Sequence, residues 1–157
     1  MVAALLFSSC SSVSLKTVNS SLTFNKKTTL TITNDEDPIG SIRDLNALLN
    51  KAGFHTTSMK NAYHAIKHRT PLKGSDINQD LEKAFNIKDI NNVYGITLSY
   101  RYFKNTFGYS YKNFKYTVIN LNTGETVMYG YSSIPKSKKY TKTLEKLVEK
   151  LKTKLSA

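Results

Sequence analysis

The chain has 157 residues and a formal net charge of +12, with 22% of its residues charged and 39% hydrophobic. That length suffices for one domain burying roughly two thirds of the surface its unfolded chain exposes. No apolar stretch approaches the roughly 18 consecutive residues that span a bilayer, and a single cysteine, Cys10, excludes an internal disulfide framework.

Residues 2–7 form an apolar run closed by small residues, the layout of a secretory hydrophobic region followed by a cleavage site. No charged residue occurs before Lys16, so nothing nearby would lower the pKa of Cys10 for nucleophilic work. Phe7-Ser8-Ser9-Cys10 resembles a bacterial lipobox, in which an apolar and two small residues precede a cysteine. The resemblance implies that residues 1–9 are a signal-peptide remnant and that Cys10 becomes the acylated first residue, tethered to a membrane by its lipid chains. The Lys or Arg that leads such a signal is then expected upstream of Met1, and Ser11, in place of an Asp, points to the outer membrane. Seven serines between positions 8 and 21 make residues 10–27 read as a flexible tether, with Val13 to Val18 as an edge strand the alternative reading, and residues 28–157 as one domain.

Thr28-Thr29-Leu30-Thr31-Ile32-Thr33 alternates as a half-buried strand does, with Ser21-Leu22-Thr23-Phe24 as an expected hairpin partner. Asp37, Pro38 and Ser41 are helix-start residues. Ile42, Leu45, Leu48, Leu49 and Ala52 recur at helical spacing, and Gly53 stands where a left-handed residue ends a helix. Residues 54–59 read as a second strand, completing a β-α-β start. Residues 60–69 read as a short helix. Ser75 caps a further helix with Ile77, Leu81, Ala84 and Phe85 on one face. From Asn92 the period falls to 2: Tyr94, Ile96, Leu98, Tyr100 and Tyr102 alternate with smaller or polar residues. Residues 114–121 and 126–131 are two more strands, joined at Asn122-Thr123-Gly124. Leu144, Leu147, Val148, Leu151 and Leu155 make a closing amphipathic helix.

The expected fold is therefore α+β: a β-α-β start, a three-stranded antiparallel meander and a C-terminal helix, with helices packed on one face of a mixed sheet. The succession TLTIT, LNALLNKAGF, VYGITLSYRY, YTVINLNTGETV and a Lys-rich last helix resembles small bacterial envelope lipoproteins. Their domain is similar to the N-terminal domain of TolB and to CsgG. That resemblance implies fold and compartment, and carries no functional residue across.

His64 and His68 lie four apart and share a helix face, but without the Glu of HExxH they read as solvated helix histidines, so no metal is expected. Asp35, Glu36 and Asp37 lack calcium-loop spacing and read as helix capping. No phosphate loop, GxSxG or catalytic triad context is present, and neither enzyme activity nor a cofactor is expected. Charge is lopsided. Up to Asp89 there are eleven Lys/Arg against eight Asp/Glu, and from Ile90 onward twelve against three. Within that basic half, Arg101, Lys104, Lys112 and Lys115 are interleaved with aromatics and form a candidate polyanion-binding patch. No RNP-type motif accompanies them. The sequence thus predicts a non-enzymatic, lipid-anchored accessory or binding module of the outer membrane facing the periplasm. Its expected partners are the membrane, envelope proteins and anionic envelope polymers; a soluble basic module binding nucleic acid or an acidic partner is the alternative.

Overall fold

A computed structural model describes residues 13–18, 24–72, 74–106, 108–132 and 140–154. Strand β1, Val13–Thr17, lies inside the segment expected to be a tether, and pairs antiparallel with β6, Thr126–Ser132. Its serine-rich surroundings resemble a linker, but an edge strand takes its hydrogen bonds from a distant partner that local composition does not reveal. Of the expected hairpin partner at 21–24, residues 21–23 lie outside the described residues. The Phe24 N–H donates to the Lys154 carbonyl at 2.7 Å. Its buried ring meets Phe54 and Tyr94 edge-on, with centroids 6.1 and 5.3 Å away.

Strand β2, Thr29–Ile32, is followed by helix α1, Ser41–Lys51, which buries Leu45 and Leu49 one turn apart. The N-cap Gly40 has no side chain to cap with. Asp37 acts instead, its carboxylate accepting from the Ser41 hydroxyl at 3.1 Å and the Arg43 N–H at 3.3 Å. At the other end Gly53 has φ 90°, and the Phe54 N–H reaches back to the Leu49 carbonyl at 3.0 Å. The strand expected over residues 54–59 shrinks to β3, His55–Thr56, because Ser58 turns to cap helix α2, Met59–His68, by accepting from the Asn61 N–H.

Helix α3, Asp76–Ala84, starts on its Ser75 cap as expected, but its buried face differs. Ile77 is exposed and Asn78 is buried. Asn78 accepts from the Thr70 N–H and donates to the Thr70 and Leu72 carbonyls, so a polar residue is buried where it satisfies the backbone of the preceding loop. Strands β4, Val93–Asn105, and β5, Gly108–Asn120, form a long hairpin, and β6 and helix α4, Thr141–Lys152, complete the fold.

The sheet order is β1-β6-β5-β4-β2-β3, with β2 parallel to both neighbours and the remaining pairs antiparallel. The α+β fold with its meander and closing helix is the one expected. Alternation along β4 divides the core. Tyr94, Ile96 and Leu98 pack with Leu45 and Leu49 of α1 and with Leu144, Leu147 and Leu151 of α4. Val93 belongs to a second cluster with Ala62 and Ala65 of α2, Ile87 and Ile90, joined by Leu121. Successive strand residues point to opposite faces, so α1 and α4 cover one face as expected, whereas α2 and α3 reach round to one end of the other.

Candidate functional site: the open face of the meander

Beyond Val93 and Leu121 no helix among the described residues covers the second face of the sheet. Ser99 and Arg101 on β4, Lys115 on β5, and Tyr129 and Tyr131 on β6 are exposed. Register joins them in rows: Ser99 opposite Lys115, Lys115 opposite Tyr131, Thr97 opposite Thr117, and Thr117 opposite Tyr129. On β1, Ser14 and Lys16 take the next register positions, opposite Tyr131 and Tyr129.

A β-bulge brings the basic positions together. Two steps along β4 from Ser99 to Arg101 match three along β5 from Lys115 to Lys112, and Asn113 absorbs the extra residue at φ 55°. Arg101, two residues from Ser99, keeps the face of Lys115 by alternation, and the bulge makes Lys112 its register partner. Lys104 does not join them. It lies three residues beyond Arg101 on regularly alternating strand, and so belongs to the opposite face with Tyr102. Neither Arg101 nor Lys115 forms an ion pair among the described residues, where the ion pair found is Arg43–Asp44 at 3.4 Å. Two cations, with Tyr131 beside one of them, are thus exposed on one face of the sheet.

The reverse face explains why the strands are so rich in tyrosine. Tyr100 stacks on buried Phe114 with centroids 5.4 Å apart and planes 10° from parallel. Burial raises the Tyr100 phenol above its ordinary range, with the Ser41 hydrogen bond opposing, and burial likewise pushes the Tyr116 phenol well up. These rings are core, and Tyr129 and Tyr131 are the aromatics that sequence reasoning missed. Their signal was the period of 2 in Tyr129-Gly130-Tyr131, which placed both on one face.

The remaining candidates have structural roles. His55 donates from Nε2 to the Asn86 carbonyl at 2.8 Å, and His64 stacks on Phe85 at 6.2 Å. Among the described residues no three His, Cys, Asp or Glu side chains gather as a metal site. Asp37 caps α1 as expected. Cys10 lies outside the described residues.

No protein-family model matches the chain, and no curated protein matches it. Among solved structures it is similar to the PelC dodecamer from Paraburkholderia phytofirmans, at 9% identity and a TM-score of 0.49 over 94% of this chain and 100% of that one. It is also similar to lipoprotein GNA1162 from Neisseria meningitidis, at 18% identity and a TM-score of 0.37 over 80% of this chain and 93% of that one.

Proposed function

We propose that the chain is an exported, lipid-anchored, non-enzymatic module of the outer envelope, which lays the open face of its sheet against anionic lipid phosphates. The observation that carries this reading is that exposed Arg101 and Lys115 share a sheet face, with Tyr131 beside Lys115, where no helix among the described residues covers it. Cations neutralise headgroup phosphates, and tyrosine, apolar in the ring and polar at the hydroxyl, suits a membrane interface.

The start of β1 supports the same reading. Val13 is three residues after Cys10, and extended chain covers at most about 3.6 Å per residue. A lipid on Cys10 would therefore hold the β1 edge within roughly 11 Å of the bilayer, comparable with the screening length of about 8 Å at physiological salt. No helix among the described residues is long and apolar enough to cross a membrane, so attachment in this reading is by lipid and charge.

The test is vesicle co-sedimentation of the unlipidated domain. Binding to phosphatidylglycerol vesicles is expected, with little to phosphatidylcholine, and it should weaken steeply as salt rises. Arg101→Ala and Lys115→Ala should each cost about 1 kcal/mol, with Lys104→Ala costing less because it lies on the other face. Exposed Tyr129 and Tyr131 also suit base stacking. A tight single-stranded DNA complex losing roughly 1–3 kcal/mol with Tyr131→Ala would replace the envelope reading with nucleic-acid binding.

A further inference from the structure

A cleft of about 520 Å³ opens between α1 and α2 where the short strand β3 gives out. Its size falls in the range of small-molecule sites, roughly 300–1,000 Å³. In a chain of net charge +12, none of the residues lining it is charged. Its polar groups are the amides of Asn46 and Asn61, the hydroxyls of Thr31 and Ser58, and their neighbours.

Two features of the cleft floor leave hydrogen-bonding capacity uncommitted. β3 pairs only with Thr29 and Leu30, so β2 runs on past its neighbour. The Leu30 carbonyl accepts from the Thr57 N–H on that side, whereas the Thr29 and Thr33 N–H groups donate to carbonyls on the β4 side. Backbone groups alternate along a strand, so those of Ile32 face the side that β3 has vacated, and they have no backbone partner among the described residues. Beside them, Thr31 is 1% exposed, and its Oγ1 has no hydrogen-bond partner among the described residues. Buried polar groups are ordinarily paired, and one that is not asks for an explanation.

We infer that this cleft is a binding site for an uncharged ligand rich in hydroxyl and amide groups, the chemistry of a neutral or N-acetylated sugar. The free edge of β2 offers a donor and an acceptor side by side, which a ligand amide matches as a third strand would. Asn46, Asn61 and Ser58 supply further groups for hydroxyls, and Ile32, Ile42 and Met59 give the apolar surface a sugar ring's C–H face requires. A fixed anion would meet no compensating side-chain charge here. The site is separate from the cationic face, and it stands or falls independently of the membrane reading.

The experiment is a two-dimensional amide NMR titration of the folded domain with N-acetylglucosamine, and in parallel with inorganic phosphate. Saturable shifts from the sugar are expected at Ile32, Thr57, Ser58 and Asn61, without matching shifts from phosphate. Asn61→Ala should weaken binding roughly three- to tenfold, the worth of one neutral hydrogen bond. Thr31→Val should weaken it by a similar factor while leaving the thermal midpoint unchanged or higher, because it removes a hydroxyl that the fold itself leaves unpaired. Arg101→Ala should leave sugar binding unaltered and so separates this site from the open face. Absence of saturable sugar shifts at these amides, shifts indifferent to both cleft variants, or stronger shifts there from phosphate would overturn the inference.

Discussion

A Cβ added at Gly95 would lie 2.6 Å from Cγ2 of Thr33 and 3.0 Å from Cδ2 of Leu121. No side chain fits there without displacing a neighbour, because β2 and the end of β5 both crowd that point of the sheet. Gly95→Ala should cost about 1–3 kcal/mol, read from the urea midpoint. Gly53→Ala meets no such obstruction and is disfavoured by its positive φ alone. Tyr116 makes a different prediction. It is 1% exposed, and burial raises its phenol above the ordinary value of about 10. Below about pH 10 the phenol is neutral in both states and its stabilisation is intact; above that the unfolded chain ionises while the folded one does not, so stability falls as pH rises. Tyr94 and Tyr100, also raised by burial, act in the same direction. Thermal midpoints should therefore drop in alkali, and Tyr116→Phe should flatten the drop. Single residues also show where reading the sequence stopped. Asp37 was legible as a cap because capping is local, whereas burial of Asn78 depends on carbonyls of a loop that only folding brings to it.

Helix α4 shows the element scale at its clearest. Leu144, Leu147, Val148 and Leu151 are buried, and Lys142 and Lys150 on the other faces are exposed. Leu147→Ala should cost about 2–5 kcal/mol, against a few tenths for Lys150→Ala, as measured by chemical denaturation. Equal effects would mean that α4 does not pack on the sheet. Such a helix is legible because its period of 3.6 is written in consecutive residues. The period of 2 in β4 and β6 is equally plain. β3, with two residues, is too short for a pattern, and β1, although Val13 and Leu15 alternate with Ser14 and Lys16, lies in serine-rich surroundings that read as a tether; each is a strand only because β6 or β2 offers it hydrogen bonds. The same reason hid the cleft, since the free edge of β2 exists only because β3 stops early.

For the whole molecule, the consequence to test is the anchor. Expressed in a Gram-negative host behind a complete signal, the chain should fractionate with outer membranes, and Cys10→Ala should release it or leave it unprocessed. Wild-type protein that stays soluble with unchanged mass would refute the lipid anchor. Class and architecture were determined by the sequence itself. Hydrophobic periods and helix caps are local quantities, and they sufficed for an α+β domain with a meander and a closing helix. Only the tertiary structure decided which charges act together. Arg101, Lys104, Lys112 and Lys115 are near neighbours along the chain, yet strand alternation turns Lys104 to the other face while a bulge at Asn113 makes Lys112 the register partner of Arg101. Tyr131 reaches Lys115 from another strand. Register is a relation between segments distant in sequence, set by the hydrogen bonds and packing that form when they meet, and no single segment contains it.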